Sequence, residues 1–237
     1  VTGHVSVHLA RFAEPSDIAS RQAAAPDGAT VWKVGGDQRR ASDTTREVAN
    51  EFVAIGVHPT RDSADACAAA ALAAFDGAIE QWSGVLRPVR SIGHLNWAGT
   101  DDHRLPCVPG PRVDGPMVVM TSVGWDLGEG FRVEDAIEFG DRVELVRRTM
   151  GFPSLDTPVP GLRSQQSFGF PGIIVDDPIT LTFWDDEAAM RAFAYDAGPH
   201  RTEMDRFRAE PIADRTSFTR FAPVASDGTW RGRDPLG

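Results

Sequence analysis

Cysteine is scarce in this chain: Cys67 and Cys107 are the only two, and no CxxC spacing joins them. That excludes a disulfide framework and a cysteine-based zinc site. No apolar run approaches the roughly 20 residues a membrane span needs. The N-terminus lacks a basic flank and a continuous apolar stretch, so no secretory signal is read and a cytoplasmic location is expected. Positive charge is in deficit, with a net charge of −10, and a phosphate backbone would be repelled; nucleic acid is not an expected partner. There is no H-x-x-x-H or H-E-x-x-H pair, which removes the helical zinc hydrolases. There is also no G-x-S-x-G, no P-loop and no G-x-G-x-x-G after a strand. Gly35-Gly36 follows the strand-like TVWKV but is too short a glycine signal to hold a dinucleotide.

What is present is 237 residues with 41% hydrophobic content, enough for one large domain or two of about 115 residues each. Val5–Phe12 alternates Val5, Val7 and Leu9 against Ser6, His8 and Ala10, which predicts a half-buried strand. A short helix is expected from Pro15-Ser16-Asp17, ending before Pro26. Strands follow over Thr30–Val34 and Glu51–Val57, with Gly35–Asn50 between them read as a loop. Asp62–Trp82 is alanine-rich and predicts a helix that lies close on a sheet. A fourth strand covers Gly84–Ile92. The order is β-α-β-β-α-β, the ferredoxin-like unit.

Asp101–Gly115 reads as a linker, after which the order recurs. Strands are expected at Met117–Val123, Leu162–Phe168, Ile179–Trp184 and Ser217–Val224. One helix is expected at Val133–Thr149. A second starts at Asp185-Asp186-Glu187 and breaks near Gly198-Pro199. Trp97-x-Gly99-x-Asp101 matches Trp230-x-Gly232-x-Asp234, and Pro88-Val89 with Gly93 precedes the first as Pro223-Val224 with Gly228 precedes the second. The spacing differs by two residues, so the repeat is diverged. The expected architecture is α+β: a tandem duplication of two ferredoxin-like units, 1–100 and 116–237, joined by 101–115. Each sheet has helices on one face, so the other faces pack against each other as an α+β barrel.

His200 is the residue without a counterpart in the first unit. Just past a helix break, a neutral imidazole can ligate iron through one ring nitrogen while the other is held by a carbonyl or carboxylate. The competing reading is a surface or capping histidine, with Arg201, Glu203 and Arg206 on an exposed face instead of pairing with propionates. His58 reads as a turn residue, His94 as structural, and Cys107 lacks a framing motif for thiolate ligation. Arg163, Gln165 and Gln166 lie on one strand, where side chains can face a pocket or solvent. Phe183 and Trp184 are core residues or an aromatic wall. Tyr195, the only tyrosine, is expected to pack. The two tryptophans of the repeated motif are expected to pack below strand ends.

Several segments together resemble the spheroidene monooxygenase family of carotenoid-modifying proteins. They are Phe183-Trp184-Asp185, Met190–Tyr195, Gly198–Arg201, Phe221–Val224 and Gly228–Leu236, with Trp32–Gly35 a weaker echo. The resemblance covers about the last 60 residues closely and earlier ones only by element order. It implies a haem-containing, oxygenating enzyme. At the level of fold it implies kinship with aldoxime dehydratases, chlorite dismutases and dye-decolorising peroxidases, whose proximal ligand is a helix histidine. Carried over, it makes His200 the ligand to haem b iron, with Arg201, Phe183 and Trp184 around the cofactor and Arg163, Gln165 and Gln166 as catalytic candidates. It implies a small-molecule substrate that is carotenoid-like; an amine nitrogen of an amino-acid precursor in antibiotic biosynthesis stays open as an alternative. It also implies an electron donor or peroxide, and a homodimer is compatible with it. Two alternatives stay open: a haem-dependent aldoxime dehydratase, and a non-catalytic haem or ligand carrier.

Overall fold

The computed structural model describes residues 3–21, 25–37, 39–40, 47–108, 114–124, 134, 159–170, 177–196, 198–211 and 213–237. The strands are β1 (His4–Asp17), β2 (Val31–Gly36), β3 (Arg39–Arg40), β4 (Glu47–His58), β5 (Glu80–Gly93), β6 (Met117–Gly124), β7 (Leu162–Phe168), β8 (Ile179–Trp184) and β9 (Arg215–Gly228). The helices are α1 (Arg61–Ala74), α2 (Glu187–Tyr195) and α3 (Pro199–Ala209), with a 3-10 turn at Ile18–Arg21. The expected helix at 133–149 lies outside the described residues.

The strands form one antiparallel sheet in the order β2-β4-β1-β5-β9-β6-β8-β7, with β3 added to β4. Read from the centre outward, β5-β1-β4-β2 and β9-β6-β8-β7 follow the same strand sequence, which is the ferredoxin-like order the repeat implied. The two outer strands also meet: Gly36 and Gly169 exchange backbone hydrogen bonds of 3.0 and 2.9 Å. The sheet therefore closes on itself as a barrel, with long β5–β9 pairing at one seam and this bridge at the other. Gly35-Gly36 serves that closure. A Cβ at Gly35 would stand 2.5 Å from the Gly169 carbonyl oxygen.

Alternation along each strand sorts side chains between two layers. Val5, Val7, Leu9, Val53, Ile55, Trp82, Leu86, Val118, Met120, Leu181, Phe183 and Phe221 fill the barrel. Trp82 meets Phe183 edge to face at 5.3 Å, so both halves share one core. Burying each large apolar side chain contributes roughly 1.5–3 kcal/mol. The outer faces carry helices. Ala64, Cys67 and Ala71 form the buried stripe of α1, at i, i+3 and i+7. The stripe covers Ser6, His8 and Ala10, so β1 is buried on both faces. The polar residues of its alternation lie under a helix, and the half-exposed strand expected from the pattern is corrected accordingly.

Other local expectations are also corrected. The short helix expected from Pro15-Ser16-Asp17 is a 3-10 turn at Ile18–Arg21, and it begins only after β1 has continued through Asp17, which pairs with Val48 after a register shift. α1 stops at Ala74, and Trp82 belongs to β5. Within the expected linker 101–115, Leu105 is buried in the barrel core, as are Leu95, Trp97 and Ala98 just before it. Trp97 and Trp230 follow the ends of the antiparallel β5 and β9, so each closes one end of the barrel. This is the packing expected of the repeated motif. Among the described residues, no helix is long and apolar enough to cross a membrane.

Candidate functional site

β8 delivers alternate side chains to opposite layers, with Phe183 inside the barrel and Trp184 outside. The chain then turns at Asp185 and enters α2. Asp186 caps that helix, its Oδ1 accepting from the Ala189 N–H at 2.7 Å, which satisfies one of the unpaired first-turn donors. Met190, Ala194 and Phe193 of α2 face the sheet and pack with Met117, Val119, Trp184 and Phe218. The expected break is present. The N–H of Asp196 closes on Ala192 O at 3.1 Å, and α3 restarts with Gly198 at its N-cap and Pro199 at its first position, where a missing N–H removes nothing.

His200 is therefore the second residue of α3. Its ring lies 4.6 Å from the Phe193 ring at 43°, and Phe193 lies 5.1 Å from Trp184 at 42°. Trp184 is fixed by its Nε1–H, which donates to Thr182 Oγ1 at 2.8 Å. The imidazole is half-buried, and burial lowers its pKa while the Ala194 backbone pulls the other way. A ring so placed is neutral at physiological pH and keeps a lone pair for a ligand. The sequence pointed to His200 and Trp184 but not to Phe193, whose only signal is its place three residues after Met190 on the sheet-facing side of α2.

The remaining candidates disperse. Arg201 Nε donates to Asp205 Oδ2 at 2.8 Å on the solvent side of α3. Arg163 pairs with Asp185, and its Nη1 donates to the Gly237 carbonyl at 2.7 Å, tying down the C-terminal tail. Gln165 and Gln166 face opposite sides of β7. Gln165 stands across from Thr182 on the outer face, in the layer of Trp184. Gln166 is buried at the barrel interior, accepting from Arg231 Nη2 at 3.3 Å. Phe183 is sealed in the core. Of Gln165, Gln166, Phe183 and Trp184, the first and last lie on the outer face of the sheet.

Arg220, not singled out by the sequence, is buried between α2 and the sheet. Its Nη1 donates to Glu187 Oε1 at 2.9 Å and its Nη2 to the Tyr195 hydroxyl at 3.3 Å. Of the other histidines, His58 Nε2 lies 2.9 Å from Ser6 Oγ under α1, and His94 stacks on His103 at 4.0 Å. Among the described residues, no group of three or more His, Cys, Asp or Glu is placed to hold a metal ion.

The chain matches no family model. It is similar to a spheroidene monooxygenase of Rhodobacter capsulatus, 25% identical over 151 residues, which are 64% of this chain and 56% of the relative. A second similarity, to a spheroidene monooxygenase of Cereibacter sphaeroides, is 35% identical over 60 residues, 25% of this chain and 18% of the relative. The chain thus spans about half the length of the first relative and less of the second. Among solved structures, an aldoxime dehydratase in complex with butyraldoxime superposes with a TM-score of 0.60 at 11% identity, covering 94% of this chain and 80% of that one. Another aldoxime dehydratase gives 0.56 at 10% identity, covering 99% and 87%. At these identities the two structures show a shared α+β barrel fold and no more.

Proposed function

We propose that this chain is a haem-dependent oxygenating oxidoreductase, that residues 116–237 would carry the cofactor, and that His200 would hold its iron. The observation that carries the reading is the half-buried imidazole of His200, in ring contact with Phe193 just past a helix break. It lies in the C-terminal stretch that resembles the spheroidene monooxygenases. The donor set fits the group, since one imidazole suffices for a metal whose other ligands come from a macrocycle. Haem, when bound, supplies the activation of dioxygen or peroxide.

The chain's own residues would bind and shield. Trp184, Met117 and Val119 are buried beneath α2 on the outer face of the sheet and would back that helix, while the half-buried Phe193 and His200, in ring contact, would meet the flat hydrophobic ring system. Farther along the same face, Ser167 Oγ and Thr180 Oγ1 lie 3.0 Å apart, and Gln165 stands beside Thr182. These are uncharged groups able to donate a hydrogen bond without competing for the metal. The names of the relatives favour a carotenoid-like substrate. The purified protein should convert such a substrate to an oxygenated product under 18O2 with a reductant, the label should appear in the product, and His200→Ala should abolish it. Conversion of an aldoxime to a nitrile without external oxidant, and no label incorporation from any carotenoid, would replace this reading with a lyase.

A further inference from the structure

The two halves place different chemistry at equivalent positions. α1 begins three residues after β4 ends and α2 three residues after β8 ends, so Cys67 and Phe193 are both seventh in their helices. His58 ends β4 opposite His4, as Trp184 ends β8 opposite Met117. In the first half these positions are polar: His58 Nε2 meets Ser6 Oγ, and Ser6 Oγ donates to Cys67 Sγ at 3.5 Å. In the second half they are Trp184 and Phe193, two rings in contact, and Phe193 is in contact with the His200 ring as well.

We propose that Phe193 is the positioning residue that fixes the plane of the His200 imidazole, with Trp184 as its backstop. This rests on His200 being the ligand, as argued above. The torsion that turns an imidazole about its Cβ–Cγ bond is soft, so a ligand ring needs something to hold its plane. In most histidine sites a hydrogen bond to the second ring nitrogen does this. Here no side chain among the described residues bonds Nδ1; the Ala194 backbone is its polar neighbour and acts against burial, and the aromatic contact on the ring is the second constraint. Phe193 is itself held, because Trp184 is 1% exposed and its Nε1–H is anchored on Thr182.

The test uses the full chain with histidine selectively labelled, and hemin as the probe. Without hemin, the Hε1 and Hδ2 signals of His200, assigned by their loss in His200→Ala, should lie upfield of those in the urea-unfolded chain. Phe193→Leu should move them to the unfolded positions, and Phe193→Tyr should restore them. With hemin, Phe193→Leu should weaken binding about tenfold, as loss of an orienting neighbour does, and should shift the iron–histidine stretching band of the reduced protein; Phe193→Tyr should recover both. His200 signals already at unfolded positions in the wild type, or unmoved by Phe193→Leu, overturn the proposal even if one variant fails to fold. Hemin binding that ignores His200→Ala ends the functional reading instead, and the apo signals then judge Phe193 alone.

Discussion

His8 lies under α1 with its Nδ1 2.9 Å from Ser83 Oγ and its Nε2 4.0 Å from Cys67 Sγ. Burial, with a smaller contribution from His58, lowers its pKa from the ordinary 6.5 to about 3. His58 is lowered too, chiefly by burial. The unfolded chain therefore binds more protons than the fold between pH 6.5 and 3, so stability falls as pH falls through that window. A tenfold change in proton affinity is worth about 1.4 kcal/mol, which gives His8 a ceiling of about 5 kcal/mol. Urea midpoints should drop steeply between pH 7 and 4.5 in the wild type and less steeply in His8→Gln; parallel drops would remove His8 as the cause. Burial of this kind was invisible in the sequence, where Ser6-x-His8 reads as a wet strand face. What covers it is the alanine stripe of α1, and that pairing is set by tertiary packing.

The elements are joined by glycines and ion pairs at their ends. Gly228 has φ +87, and an added Cβ would stand 2.3 Å from the Gln81 carbonyl oxygen; Gly93, its counterpart on β5, has φ +84 and meets Thr216 in the same way. Gly228→Ala should cost about 2 kcal/mol or more, from left-handed backbone strain and a backbone clash. Gly198→Ala, extended at φ 172 with open space around it, should be within about 0.5 kcal/mol of wild type. Equal melting temperatures for the two variants would contradict this. Asp177, fully buried, accepts from Arg215 Nη2 at 3.0 Å and from the Asn96 N–H at 2.8 Å, linking the loop after β5 to the start of β9. Arg215→Ala leaves that carboxylate buried without its cation and should cost about 3–5 kcal/mol by urea denaturation; a loss under about 1 kcal/mol would show that the pair is not the link. The sequence announced the glycines through their matching places before the two Trp motifs, and the break before His200 through Gly198-Pro199. It could not separate Gln165 from Gln166, because which face each takes depends on the β7–β8 register, which adjacent residues do not reveal.

At the scale of the molecule, the β5–β9 seam and the Trp82–Phe183 contact make the two ferredoxin-like halves one barrel. Tryptophan fluorescence and far-UV circular dichroism should report the same urea midpoint; two separated transitions would mean that the halves are independent. Element order and the repeated Trp motif made the barrel legible. Its closure did not show, because a single Gly36–Gly169 bridge leaves no periodic signal. The likeness to solved structures is one of fold, and fold does not fix chemistry, so the functional account turns on His200. The direct measurement is a hemin titration of the full chain followed at the Soret band. The account predicts saturation at one haem per chain in the wild type and a lost or displaced band in His200→Ala. Superimposable wild-type and His200→Ala spectra, or no band at all, would contradict it.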